Sequence, residues 1–171
     1  MTDLPPPAGI DPGHAFDPVR NPELFEGVLS RRIVAFLIDA VIVIGPIILL
    51  ALFIFVFGLI TLGIGWLLFW LLSPLFVLWA VIYTGSTLGS PASATIGMRT
   101  MDLEMRIWNG QRMYFLLGAV HGVFFWVITS TLTPFIHLIA LFNRRRRLLQ
   151  DFLTGTVLVN NERRAAALRR P

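Results

Sequence analysis

The sequence predicts an all-α membrane protein: a two-helix transmembrane hairpin, a third apolar segment, interfacial helices and a small cytoplasmic β element. Three observations carry this. Hydrophobic residues make up 56% of the 171 and charged residues only 14%, against roughly a quarter charged in soluble domains. From Ala40 to Met98 there is no Asp, Glu, Lys, Arg or His, a run far beyond the ~20 residues that cross a bilayer once. Arginines then cluster at the ends of the apolar stretches, where positive-inside bias places them.

All 14 basic residues are arginine, and ten acidic residues leave a formal charge of +4. Cysteine is absent. Disulfides, thiolate nucleophiles and Cys-ligated metals are therefore excluded. The length fits one domain: a Pro-rich leader over 1–20, a membrane domain over 21–160 and a basic tail over 161–171.

The leader holds Pro5, Pro6, Pro7, Pro12 and Pro18 with Gly9 and Gly13, a composition that neither propagates a helix nor packs a core. It is expected to be disordered. It does not read as a secretory signal, because the basic residues and the apolar run come too late, so the mature N-terminus is expected near Met1. Asn21-Pro22 then looks like an N-cap and first helical position, opening a short surface helix with Leu24, Phe25, Val28 and Leu29 on one side.

Arg31 and Arg32 lead into Ile33–Phe57, the first spanning helix, long enough to cross with some tilt. Pro46 removes one backbone hydrogen bond from it and is a candidate kink. Gly58, Thr61, Gly63 and Gly65 mark a short uncharged turn, and Trp66–Tyr83 forms the second spanning helix, with Trp66, Trp70 and Tyr83 suited to the interfaces. Residues 84–98 are small and polar, a loop by composition. Met101, Leu103, Met105 and Ile107 alternate with charged residues, the period of a half-buried strand, and Asn109-Gly110 supplies a turn.

The third apolar stretch, Met113–Asn143, contains His121, His137 and a polar break from Thr129 to Pro134. A basic run, Arg144 to Arg147, follows. Leu148/Phe152 and Leu149/Leu153 pair at i,i+4 in a short interfacial helix, Val157–Val159 is a β-prone piece, and an arginine-rich tail, expected to be disordered, ends the chain.

Charge sets the expected topology. Three arginine groups (Arg31 and Arg32; Arg99, Arg106 and Arg112; Arg144 to Arg147) all favour the cytoplasmic side. An N-terminus inside with two crossings satisfies the first two. The third favours a chain that turns near Ser130 and returns, as a full or re-entrant hairpin, with both termini cytoplasmic; a single long span is the alternative. A turn at Thr129 places His121 and His137 at similar depth on facing arms, whereas one continuous helix sets them ~160° apart. These histidines read either as hydrogen-bonded helix contacts or as members of a proton path.

Asp39 is the acidic residue of the hairpin, seven positions after Arg32, so the two share a helix face ~10 Å apart. A mid-helix carboxylate costs ~2.5–3.5 kcal/mol to insert and turns toward the bundle interior. At that separation a water or a third group is expected between Asp39 and Arg32. Asp39 either locks helix packing by accepting hydrogen bonds or serves as a protonatable carrier or cation ligand. Asp151 lies four residues after Arg147, a surface ion-pair spacing; alternatively it reaches Arg32, which Asp39 and Asp151 would then bracket.

Three segments, RRIVAFLID, SATIGMRTMDLEM and LFNRRRRLLQDFLTGTVLV, in this order around three apolar stretches, resemble the RDD family of bacterial membrane proteins. The resemblance covers about residues 25–160. It implies that Arg32, Asp39 and Asp151 are the arginine and two aspartates for which the family is named. Two departures stand out. Gln150 occupies the position before the last aspartate where the family often has histidine, and Thr95-Ile96-Gly97-Met98 replaces the common Thr-Pro-Gly-Lys, leaving Arg99 to supply the basic contact of that loop. A transport role is what the resemblance implies.

No nucleotide loop, catalytic triad, metal motif or paired-carboxylate arrangement is visible, so neither an enzyme nor a cofactor is expected. Nucleic acid is not an expected partner, since no aromatic-basic interleaving occurs. The Arg144–Arg147 run reads as an anchor to anionic lipids. The expected function is a small transporter or transport accessory in the plasma membrane, oligomeric or joined to a membrane-protein partner because so few helices hardly enclose a path. Its polar site is Arg32, Asp39 and Asp151, with His121, His137 and Arg99 secondary. The alternative is a non-transporting scaffold that assembles another membrane complex through small-residue faces.

Overall fold

A helix of 33 residues, α1 (Val28–Ile60), carries the chain through the first apolar stretch. The computed structural model describes residues 16–132, 145 and 147–169, apart from the side chains of 129–132. Gly27, at φ +67°, precedes α1, and the expected surface helix shrinks to a 3-10 turn, Pro22–Leu24, in which Asn21 makes no side-chain cap. Pro46 sits inside α1 and leaves the Ile42 carbonyl without its helical N–H donor. The Trp79 indole N–H, from the next helix, donates to that carbonyl at 3.4 Å.

The turn after α1 depends on glycine. Gly63 takes φ +97°, and a Cβ on Gly58 would fall 1.8 Å from the Trp66 ring. Trp66 lies against that glycine and donates to the Phe55 carbonyl at 3.1 Å. A 3-10 helix, Ile64–Leu71, leads into α2 (Leu72–Leu88).

α2 continues beyond Tyr83, into residues whose composition suggested a loop. Thr84, Ser86 and Thr87 each donate their hydroxyl to the carbonyl one turn back, at 2.8, 2.6 and 2.6 Å. Such back-bonding satisfies the hydroxyl within the helix, which composition alone does not reveal. The loop proper ends at α3 (Ile96–Thr100), capped by Thr95 Oγ1, which accepts from the Met98 N–H.

β1 (Leu103–Ile107) pairs antiparallel with β2 (Thr156–Asn160), Met105 opposite Leu158. The alternation read in Leu103 and Met105 is realised: both are buried, packed with Leu158 against Val28 of α1. Successive strand residues face opposite sides, and Val157 and Val159 accordingly meet Phe25 on the other face. Asn160 donates to the carbonyls of Glu23 and Glu26 at 2.8 and 2.9 Å. The N-terminal turn thus becomes one slice of this small layer.

α4 (Phe115–Leu132) stays helical through Thr129, Ser130 and Thr131, the part of the polar break that lies within the described residues. The backbone does not turn at Ser130 itself; hydroxyl residues are compatible with a helix. α4 packs on α2 through small residues. A Cβ on Gly122 would meet Thr84 Oγ1 at 2.2 Å, and one on Gly118 the Leu88 Cβ at 2.9 Å. Backbones approach closely where side chains are this small.

α5 (Leu149–Leu153) realises the short helix expected after the arginine run. α6 (Glu162–Leu168) forms where an unstructured tail was expected: Asn161 accepts from the Arg164 N–H at 2.9 Å, an N-cap ahead of three alanines. Arg169 closes the layer by bonding Glu23 at 2.6 Å.

The helical stretches Pro22–Ile60 and Ile64–Leu88 are long and apolar enough to cross a membrane, while Phe115–Ile128 is shorter. Their outer faces expose Val41, Leu49, Phe53, Trp70 and Leu78. The leader up to residue 15, His137, Arg144, Arg146 and the return of the third apolar segment lie outside the described residues.

Candidate functional site

One stripe of α1 supplies the site. Arg32, Ala35, Phe36, Asp39, Ala40 and Val43 recur at three- and four-residue spacing and line one side of a cavity of about 80 Å³. Tyr83, Thr84 and Leu88 of α2, Thr95 and Met98 of the α3 segment, and His121, Gly122, Phe125 and Trp126 of α4 complete it.

Arg32 and Asp151 form a forked ion pair. Arg32 Nη1 donates to Asp151 Oδ2 at 2.6 Å and Nη2 to Oδ1 at 2.9 Å. The carboxylate is fully buried and the guanidinium side chain 10% exposed. Two parallel charge-assisted bonds fix geometry as well as strength. Oδ2 also accepts the Leu148 N–H at 2.8 Å, capping α5. The clamp therefore fastens α5, 119 positions along the chain, to the start of α1.

Burial pushes the Asp151 pKa up, but the Arg32 charge and bonds, the His121 ring and the Leu148 N–H outweigh it and leave the carboxyl below its usual range. Arg147 does not pair with the Asp151 carboxylate, as the i,i+4 spacing suggested. It donates to the main-chain carbonyls of Thr156 and Asp151, both at 2.9 Å, and lies over the Phe152 ring.

His121, from α4, approaches the same Asp151 oxygen as Arg32 Nη2. Its Nδ1 is 3.1 Å from Thr154 Oγ1, and its Nε2 is 3.7 Å from Asp151 Oδ1. Thr154 Oγ1 also donates to the Gln150 carbonyl at 2.7 Å and lies 3.0 Å from Thr156 Oγ1. The histidine thereby tethers α4 to α5, in keeping with the hydrogen-bonded helix contact read from the sequence. Gln150, nearly fully buried, leaves its amide nitrogen without a partner among the described residues.

Asp39 serves different partners. Its Oδ1 accepts from the Tyr83 hydroxyl at 2.5 Å and the Gly97 N–H at 2.8 Å, and its Oδ2 from the Thr95 hydroxyl at 2.6 Å. Tyr83 in turn accepts the Ile96 N–H at 3.3 Å. Asp39 and Arg32 share the cavity wall but bond different elements, so the bracketing of Arg32 by two aspartates is not what the geometry provides. Arg99 is exposed and turned to the Ala94 carbonyl and Ser90 Oγ, at 3.0 and 2.7 Å.

Gly97 is the residue that makes this arrangement work. A Cβ there would lie 2.1 Å from the Ala35 carbonyl oxygen and 2.9 Å from Asp39 Cγ. Sequence reading singled out neither Tyr83, Thr95 nor Gly97 as a partner of Asp39. The readable signal was Thr95 followed by Gly97 after a Ser/Pro-rich loop, a capped helix start whose N–H groups suit a carboxylate. Among the described residues no group of three His, Asp or Glu is placed to hold a metal ion.

Long apolar helices joined by a small sheet layer, with a buried Arg–Asp clamp and a second carboxylate in an interhelical cavity, define a helical membrane-associated protein. The RDD family profile matches residues 27–155, and the chain belongs to this family of membrane-associated bacterial proteins. No curated protein and no solved structure matches it.

Proposed function

We propose that the chain is a small multi-pass membrane protein that moves an ion or small polar solute, alone or as an accessory subunit, with the cavity between α1, α2 and α4 as the solute site. The observation that carries this reading is Asp39. A carboxylate placed among apolar helices borders an open volume instead of being packed out of reach. About 80 Å³ exceeds the ~10–15 Å³ that one water requires, so a few waters or a small solute fit.

The arginine-rich sheet layer is assigned to the cytoplasmic face by the positive-inside bias, with both termini there and the third apolar segment returning. The Arg144–Arg147 run serves as an anchor to anionic lipids on that face. Three helices enclose too little for a continuous path, which calls for several copies or a membrane-protein partner.

The test is solute and ion flux in proteoliposomes. Wild type should move at least one ion or small polar solute, and Asp39→Asn should lose that flux at unchanged abundance. Absence of wild-type flux, together with loss of another membrane complex when the protein is deleted from cells, would instead support the scaffold reading.

A further inference from the structure

The cavity's hydrogen-bonding character narrows what it accepts. Every hydroxyl proton on its wall is already committed: Tyr83 and Thr95 donate to Asp39, and Thr84 donates to the Ala80 carbonyl. These groups therefore offer the cavity lone pairs, not protons.

Charge points the same way. The Arg32 charge is matched by Asp151 through both terminal nitrogens. Asp39 accepts only from neutral donors, and Arg99, the cation on the α3 segment, is exposed and turned to Ser90 and Ala94. Among the described residues, the lining thus holds one carboxylate, Asp39, that no cation bonds. Around it stand Phe36, Phe125 and Trp126. Phe36 and Phe125 have ring centroids 5.5 Å apart, and Phe125 and Trp126 meet edge to face at 5.7 Å.

A ligand that suits one carboxylate, acceptor-only hydroxyls and aromatic walls carries a single positive charge, N–H donors and a short apolar body. We infer that the cavity is a binding site for a small organic ammonium ion, its N–H groups directed to Asp39 and Thr84 Oγ1 and its carbon chain lying against Phe36, Phe125 and Trp126. This rests on the cavity being the solute site, and it adds the ligand class. Aromatic faces attract cations, and hydrogen bonds from an ammonium to a carboxylate are among the stronger ones. An anion would meet the Asp39 carboxylate and the acceptor hydroxyls, while the Arg32 charge is already matched by Asp151.

The experiment is calorimetric titration of purified full-length protein in detergent with ethylammonium chloride, sodium chloride, tetramethylammonium chloride and sodium acetate. Saturable binding of ethylammonium is expected, with sodium and acetate giving none. Tetramethylammonium, which has no N–H, should bind more weakly. Asp39→Asn should weaken ethylammonium binding by roughly ten-fold or more, the scale of a lost charged hydrogen bond. Because Asp39 also holds α3, Thr84→Val provides a second variant of nearly the same shape; it should weaken ethylammonium binding while leaving thermal stability close to wild type.

Equal heats for ethylammonium and sodium chloride, binding of acetate, or undiminished ethylammonium affinity in both variants would overturn the inference. The two levels separate cleanly. Flux of another solute without ethylammonium binding defeats the ligand class alone, and ethylammonium binding without flux of any solute defeats the transport reading alone.

Discussion

Replacing Asp151 by Asn leaves the Arg32 guanidinium in its buried position without a counter-charge. The carboxylate accepts two bonds from Arg32 and one from the Leu148 N–H. An amide keeps one acceptor oxygen and turns an NH2 group toward the guanidinium or the backbone donor. Removing one partner of a buried pair costs about 3–5 kcal/mol. Removing both behaves differently. In Arg32→Met/Asp151→Leu no charge is stranded, and the main loss is the unpaired Leu148 N–H, at about 1–3 kcal/mol. The double variant should therefore be more stable than Asp151→Asn. Unfolding in mixed micelles followed by tryptophan fluorescence measures both. A loss below about 1 kcal/mol for Asp151→Asn, or a double variant as unstable as the summed singles, would refute the clamp.

Acid should act on the same pair. The Asp151 pKa is lowered in the fold, so its contribution is complete above the unfolded carboxylate value, about 3.9, and fades as pH falls through the lower folded value. The uncharged double variant should lose that part of the acid sensitivity in a pH-dependent melt. Gly97→Ala forces a Cβ against the Ala35 carbonyl; a loss of about 1–3 kcal/mol and faster proteolysis within residues 89–101 are expected, and wild-type proteolysis would contradict the close approach. Tyr83→Phe removes one donor to Asp39 and should cost about 1.5–3 kcal/mol in the same unfolding assay. Trp79→Phe should cost about 0.5–1.5 kcal/mol, and less in a Pro46→Ala background, where a backbone N–H becomes available to the Ile42 carbonyl that Trp79 now bonds.

The long apolar helices and the alternating strand were legible because their signals are local: an uncharged run, and Leu103 and Met105 in period two. Family membership was legible from Arg32, Asp39 and Asp151 in their flanking segments. The polar stretches misled. Thr84, Ser86 and Thr87 look like loop residues, yet they bond their own helix, and the backbone stays helical at Thr129 and Ser130. Partner assignment was the least legible part. Helical spacing correctly placed Arg32 and Asp39 on one face, but it carries no information about donors on distant segments. The α3 start that claims Asp39 comes 56–58 positions later in the chain, and only the close approach permitted by Gly97 brings it there.

The two aspartates divide their labour, Asp151 fastening the sheet layer to α1 and Asp39 facing the cavity proposed as the solute site. The most direct measurement compares flux in proteoliposomes carrying equal amounts of folded Asp39→Asn and of Arg32→Met/Asp151→Leu. Loss of flux in the first with flux kept within a few-fold of wild type in the second is expected. Retained flux in Asp39→Asn alongside abolished flux in the folded double variant would contradict the division and move the solute site to the clamp.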